Sequence, residues 1–70
     1  MSIATLSFDQ DILDSARLTA EDAKVELAVH LYSQRRLSLG KARELAGMSL
    51  WTFRQLLAAR EIPAHYDEDD

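Results

Sequence analysis

Ser38-Leu39-Gly40-Lys41-Ala42-Arg43-Glu44-Leu45-Ala46-Gly47-Met48-Ser49-Leu50-Trp51-Thr52-Phe53-Arg54-Gln55-Leu56-Leu57 is the stretch that decides the fold, because it reads as two short helices around one glycine. Ser38 can accept a bond from an unpaired first-turn amide, and Leu39, Ala42, Leu45 and Ala46 then recur at helical spacing. Gly47 can take the left-handed conformation that closes a helix, and Ser49 caps a second helix only two residues later. So short a break forces a sharp angle. The spacing therefore predicts a helix-turn-helix over 38–60. Leu50, Phe53, Leu56 and Leu57 would pack on Leu45 and Ala46, with Trp51, Arg54, Gln55 and Ala58 outward.

Units of this kind insert the N-terminal part of the second helix into the DNA major groove. Leu50, Trp51 and Gln55 stand where base-reading side chains usually do, and Gln55 is the one with a donor–acceptor pair suited to adenine. Lys41, Arg43 and Arg54 are the expected phosphate contacts, which makes Lys41, Arg43, Leu50, Arg54 and Gln55 the candidate DNA-binding set. Four residues before Gly47, where the two helices touch, a small residue is usual; here it is Arg43, with Ala42 beside it.

The distribution of charge agrees with a basic face. The net charge is −4, yet residues 1–34 sum to −4, residues 35–60 to +5 and residues 61–70 to −5. The only basic segment thus coincides with the helix-turn-helix, as phosphate binding requires, and the acidic end is positioned to compete with DNA for it. Composition bounds the rest. A 70-residue chain that is 47% hydrophobic, with one proline and two glycines, is too apolar and regular to be disordered. It also has a small core to stabilise it, and with no cysteine no disulfide can add to that core. Oligomerisation is the remaining remedy. The lack of cysteine fits a reducing cytoplasm, and no stretch suits a membrane span or signal peptide.

Working outward toward the N-terminus, Thr19 with Asp22 three residues on resembles a capping box and opens a long helix to about Arg35 or Arg36. Its apolar residues Ala23, Val25, Leu27, Ala28, Val29, Leu31 and Tyr32 cover more of the wheel than a helix packed on one side needs. One face would pack on the hairpin and the other, through Val25 and Val29, on a second subunit. Asp9 caps a short helix to about Ala16, with Ile12, Leu13 and Ala16 facing inward. Ahead of it, residues 3–8 alternate, with Ala4, Leu6 and Phe8 on one side and Thr5 and Ser7 on the other. That pattern predicts a half-buried β-strand, and since the chain holds no second strand, Leu6 and Phe8 are expected at a dimer contact.

Beyond Arg60, Pro63 forces Ile62 out of helical geometry, so residues 61–70 should run as an extended acidic tail. Ile62 and Tyr66 would then pack on Trp51 or, with it, on a protein partner. The predicted fold is a single mainly α domain: strand or arm 1–8, helical core 9–37, helix-turn-helix 38–60 and tail 61–70. No catalytic constellation emerges: there is no cysteine nucleophile, no glycine-rich phosphate loop, and only His30 and His65 as imidazoles. The chain reads as a binding protein with no cofactor, no metal and no small-molecule substrate.

Leu39-Gly40-Lys41-Ala42, then Glu44-Leu45-Ala46-Gly47-Met48-Ser49, Trp51, Phe53, Leu56-Leu57 and Ile62-Pro63 resemble a family of small prokaryotic uncharacterised proteins. These are often encoded beside PIN-domain toxin genes and are taken to be helix-turn-helix antitoxins. Arg43 stands where that family commonly has a second Ala, and Leu50 where it often has a base. The resemblance implies a cytoplasmic antitoxin that binds a ribonuclease-type toxin and represses its own operon. The residues alone also admit a dimeric DNA-binding regulator, or an interaction module whose helix-turn-helix does not touch DNA.

Overall fold

The computed structural model describes residues 2–63, and over them the chain is all-helical. The four helices are α1 (Gln10–Ala16), α2 (Ala20–Ser33), α3 (Leu39–Ala46) and α4 (Leu50–Ala59). Three of them start on side-chain caps visible in the sequence. The Asp22 amide donates to Thr19 Oγ1 at 3.0 Å and the Thr19 amide to Asp22 Oδ2 at 3.1 Å, a complete capping box. Ser38 Oγ accepts from the Lys41 amide at 3.2 Å, and Ser49 Oγ from the Thr52 amide at 3.1 Å. Asp9 occupies the corresponding place before α1 but makes no side-chain cap bond.

The predicted N-terminal β-strand is absent. Residues 2–9 form no strand, and backbone bonding begins only at the Asp9 carbonyl, which accepts from Ile12 and Leu13. Alternation describes two faces but supplies no ladder, and nothing else among the described residues is extended enough to pair with it. Leu6 and Phe8 are consequently exposed.

All four helices end in the same way. The amide of the residue in the left-handed conformation and the amide after it donate back into the last turn: Arg17 to Asp14 and Leu18 to Leu13, Arg35 to Tyr32 and Arg36 to Leu31, Gly47 to Glu44 and Met48 to Arg43, Glu61 to Ala58 and Ile62 to Leu57. This closure satisfies carbonyls that a helix end leaves open. Only one of the four left-handed positions is a glycine, and Arg17, Arg35 and Glu61 hold φ of 58°, 60° and 57°. The turn at Arg35 also corrects the expected end of the long helix: α2 stops at Ser33. The chain has to reverse there so that Leu37 can pack against the core.

The core is assembled around α3. Ala28, Val29 and Tyr32 of α2, Ala42 of α3, and Phe53 and Leu57 of α4 form one buried cluster. The Tyr32 and Phe53 rings meet edge to face, 6.2 Å between centroids and 80° between planes, an arrangement aromatic quadrupoles favour. Ala42 is fully buried, so it is this small residue, and not the neighbouring Arg43, that lets the helices approach. Leu13 is the buried residue of α1, while Ile12 and Ala16, expected inward, are exposed.

Candidate nucleic-acid interface

The unit made by α3 and α4 has the turn its sequence predicts. Gly47 adopts φ 71° and ψ 29°, a region that costs an L side chain but not glycine, and Met48 and Ser49 lead directly into α4. The Ser49 hydroxyl also donates to Thr52 Oγ1 at 3.0 Å, which fixes the first turn of α4 on the side facing out. Phe53 and Leu57 turn into the core, and the opposite side of the helix carries Trp51, Arg54, Gln55 and Ala58, all exposed.

Of the candidate DNA-binding residues, Lys41, Leu50, Arg54 and Gln55 are exposed and Arg43 is half-buried. Leu50 was expected to pack inward as well. It is 41% exposed, because its place at the start of α4 precedes the first residue of that helix to reach the core, Phe53. Arg54 and Gln55 lie one turn beyond Leu50 and Trp51, so the four share one face at helical spacing. Lys41 sits 3.8 Å from Glu44, an exposed pair that leaves most of its charge available to a stronger anion.

Trp51 is 70% exposed. Ile62 packs against the core cluster and therefore does not cover it, and Tyr66 lies outside the described residues. The residues assigned to a dimer contact divide. Leu6 and Phe8 are exposed, whereas Val29 is buried in the chain's own core and Val25 is packed against it. Part of the apolar surface that the wheel makes look surplus is thus taken up by the chain's own core, while Leu27 of the same helix stays exposed.

Among the described residues an ion pair ties the end of the unit back to α2. Arg60 Nη1 and Nη2 donate to Glu26 Oε1 and Oε2 at 3.0 and 2.7 Å, a two-pronged contact between α2 and the residue following α4. These hydrogen bonds hold the Glu26 carboxyl below its ordinary value and raise the Arg60 guanidinium, against small opposing desolvation. Sequence reasoning missed the pair. Its members are 34 positions apart, and no local pattern signals such a contact. Among the described residues no group of three or more His, Cys, Asp or Glu side chains could hold a metal, and no helix is long and apolar enough to cross a membrane.

Comparison with known proteins gives a family without an assigned activity. The model of an uncharacterised protein family, UPF0175, matches residues 1–70. Relatives carrying that description are 49% identical over 47 residues in Aeropyrum pernix, 41% over 59 in Archaeoglobus fulgidus and 36% over 45 in Synechocystis sp.. These matches cover 67%, 84% and 64% of the present chain, but only 53%, 67% and 51% of the relatives. The chain thus spans about half to two thirds of the length of the curated relatives it matches. No solved structure matches it.

Proposed function

Because the chain belongs to the uncharacterised protein family UPF0175, its activity has to be argued from its own residues, and we propose that it is a cytoplasmic antitoxin. In this reading it is a binding protein and no enzyme: it neutralises a PIN-domain-type ribonuclease toxin and represses the operon that encodes both through the α3–α4 unit. The observation that carries the DNA half is the outward face of α4. It presents a cation, an amide and two apolar side chains directly after a glycine turn, within the only segment of net positive charge.

The chemistry follows from those side chains. Arg54, Arg43 and Lys41 neutralise phosphates and set the register. Gln55 pairs with an adenine edge, and Leu50 and Trp51 meet thymine methyl groups. Pseudo-symmetric operators are read by two copies, so the reading includes a homodimer with Leu6 and Phe8 at its contact. The toxin half rests on the sequence resemblance described above.

The test is binding to a duplex from the chain's own upstream region, measured across salt concentrations. Arg54→Ala and Lys41→Ala should each weaken binding to all sequences alike and reduce the salt slope by about one counterion. Gln55→Ala should change which sequence is preferred. Unchanged affinity and slope in the two cation variants would remove the DNA half. Co-purification of the untagged neighbouring gene product with the tagged chain tests the toxin half. A second reading, a protein-interaction module, is favoured by the 70% exposure of Trp51, an area typical of interface anchors. A third, the dimeric regulator without a toxin, keeps the DNA contacts and drops the co-purification.

A further inference from the structure

The large apolar side chains left outside the core fall into two groups, with Leu27 alone between them. Ile3, Leu6, Phe8 and Ile12 form one on the N-terminal arm and α1, and Leu50 and Trp51 form the other at the start of α4. Their charged surroundings are opposite. Asp9, Asp11 and Asp14 follow the arm, with no base before Arg17; Arg54 stands one helical turn from Leu50 and Trp51, in the segment that also carries Lys41 and Arg43. Among the described residues Arg54 has no ion-pair partner.

We infer that the arm of one copy docks on the Trp51 face of a second copy, with Leu6 and Phe8 against Leu50 and Trp51 and the acids of α1 beside Arg54. Three observations select a second copy as the occupant. Val25 and Val29 of α2 are taken up by the chain's own core and Leu27 stands alone there, so among the described residues the adjacent pair Leu50 and Trp51 is the apolar target large enough to receive the arm. The charges flanking arm and target are complementary between copies, which favours this contact over one between two identical acidic arms. The arm also makes no backbone bond before Asp9 that docking would have to break. Exchange in both directions is two-fold symmetric and closes at a dimer, as a self-complementary contact does. This inference rests on the homodimer of the proposed function and names the surface that receives the arm in the absence of DNA, since the docked arm covers the α4 face that would read an operator and must leave it for an operator to bind.

Trp51 is the only tryptophan, so its emission reports the contact directly. The full chain is followed from submicromolar to hundred-micromolar concentration by Trp emission, acrylamide quenching and sedimentation velocity. The expected result is a blue shift and loss of quenching that track dimer formation. Phe8→Asp and Leu6→Asp change exposed residues outside the core, so their helicity should match the parent, and each should weaken association about tenfold or more. Arg54→Glu should weaken it as well, and Asp11→Arg combined with Arg54→Glu should restore part of the loss. Raising salt should loosen the contact, since exposed charges are screened over about 10 Å at 0.1 M.

Dimers that form with Trp51 still fully quenchable would overturn the docking surface while leaving the homodimer standing. A chain monomeric at every concentration would overturn both and leave the operator-binding test untouched. A blue shift independent of concentration would place the arm on its own α4 and also refute the inference.

Discussion

Replacing Gly47 tests how the two helices of the proposed DNA-binding unit are joined. At φ 71° the residue is left-handed, and a Cβ built there meets no atom within 4 Å. Gly47→Ala is therefore free of collision, and its cost is the backbone preference alone, about 1–2 kcal/mol for an L residue. The smaller conformational freedom of alanine in the unfolded chain offsets about 0.4–1 kcal/mol of that. The expected net loss is about 0–1.6 kcal/mol. In a domain of this size each kcal/mol moves the melting temperature by roughly 4–8 °C. Gly47→Asn should lose less than Gly47→Ala, because a short polar side chain is tolerated in this region, and Gly47→Val should lose more. Thermal and urea unfolding followed by circular dichroism measure the series, with an unchanged urea m-value as the sign that the unfolding reaction is the same. If Ala costs no more than Asn, or Val no more than Ala, the left-handed turn is not what joins α3 to α4.

The remaining predictions concern caps, the core and the ion pair. Ser49→Ala removes the bond to the Thr52 amide and should cost about 1 kcal/mol in denaturant titration, whereas Asp9→Ala, where no side-chain cap bond exists, should stay within about 0.5 kcal/mol. Phe53→Ala deletes a fully buried ring and its edge-to-face contact with Tyr32, a loss of about 3–5 kcal/mol. Against a total of roughly 0.05–0.15 kcal/mol per residue, that should leave a large unfolded population visible by circular dichroism. Glu26 has a folded pKa below the ordinary 4.5, so its pairing with Arg60 contributes stability that is fully present above that value and is lost as pH falls through the lowered one. The pair is exposed and screened, so the loss should be no more than about 1 kcal/mol, and acid titration of Glu26→Gln should lack it. An unchanged acid limb in that variant would mean the pair contributes nothing to folding.

The parts legible in the sequence are those that depend on neighbours within four positions. Thr19 with Asp22, Ser38, Ser49 and Gly47 each make or break a helix through atoms one turn away, and each does so in the structure. What failed depends on partners far along the chain. Alternation in residues 3–8 cannot supply a second strand, and none is there. A helical wheel shows that α2 is apolar over much of its circumference, yet only the packed fold reveals that Val29 is buried in the chain's own core and Val25 packs against it. The candidate site is legible in the same partial way: helical spacing alone puts Trp51, Arg54 and Gln55 outward, where they are, but puts Leu50 on the packing face, whereas it lies exposed. The closures at Arg17, Arg35 and Glu61 had no signal, since a glycine is what marks such a turn in a sequence.

Those three non-glycine turns bear on why the exposed apolar residues matter. Each left-handed Arg or Glu costs on the order of 1 kcal/mol, and the described residues hold three of them beside a buried cluster of six. So small a core leaves little margin, and the seven large apolar side chains exposed among the described residues leave much of their area uncovered in the single chain. Covering them is a large source of stabilisation, since burying apolar area contributes about 25 cal/mol per Å², and three of the four helix starts and all four helix ends already have their caps or closures. Since four of the seven precede α2 and two open α4, a partner covers them either at both ends of the chain at once or by letting one group cover the other. Association and exposure of the α4 face are then linked: a contact that covers Trp51 also covers Arg54 and Gln55, one turn away on the same side. The same residues cannot serve DNA while they serve that contact.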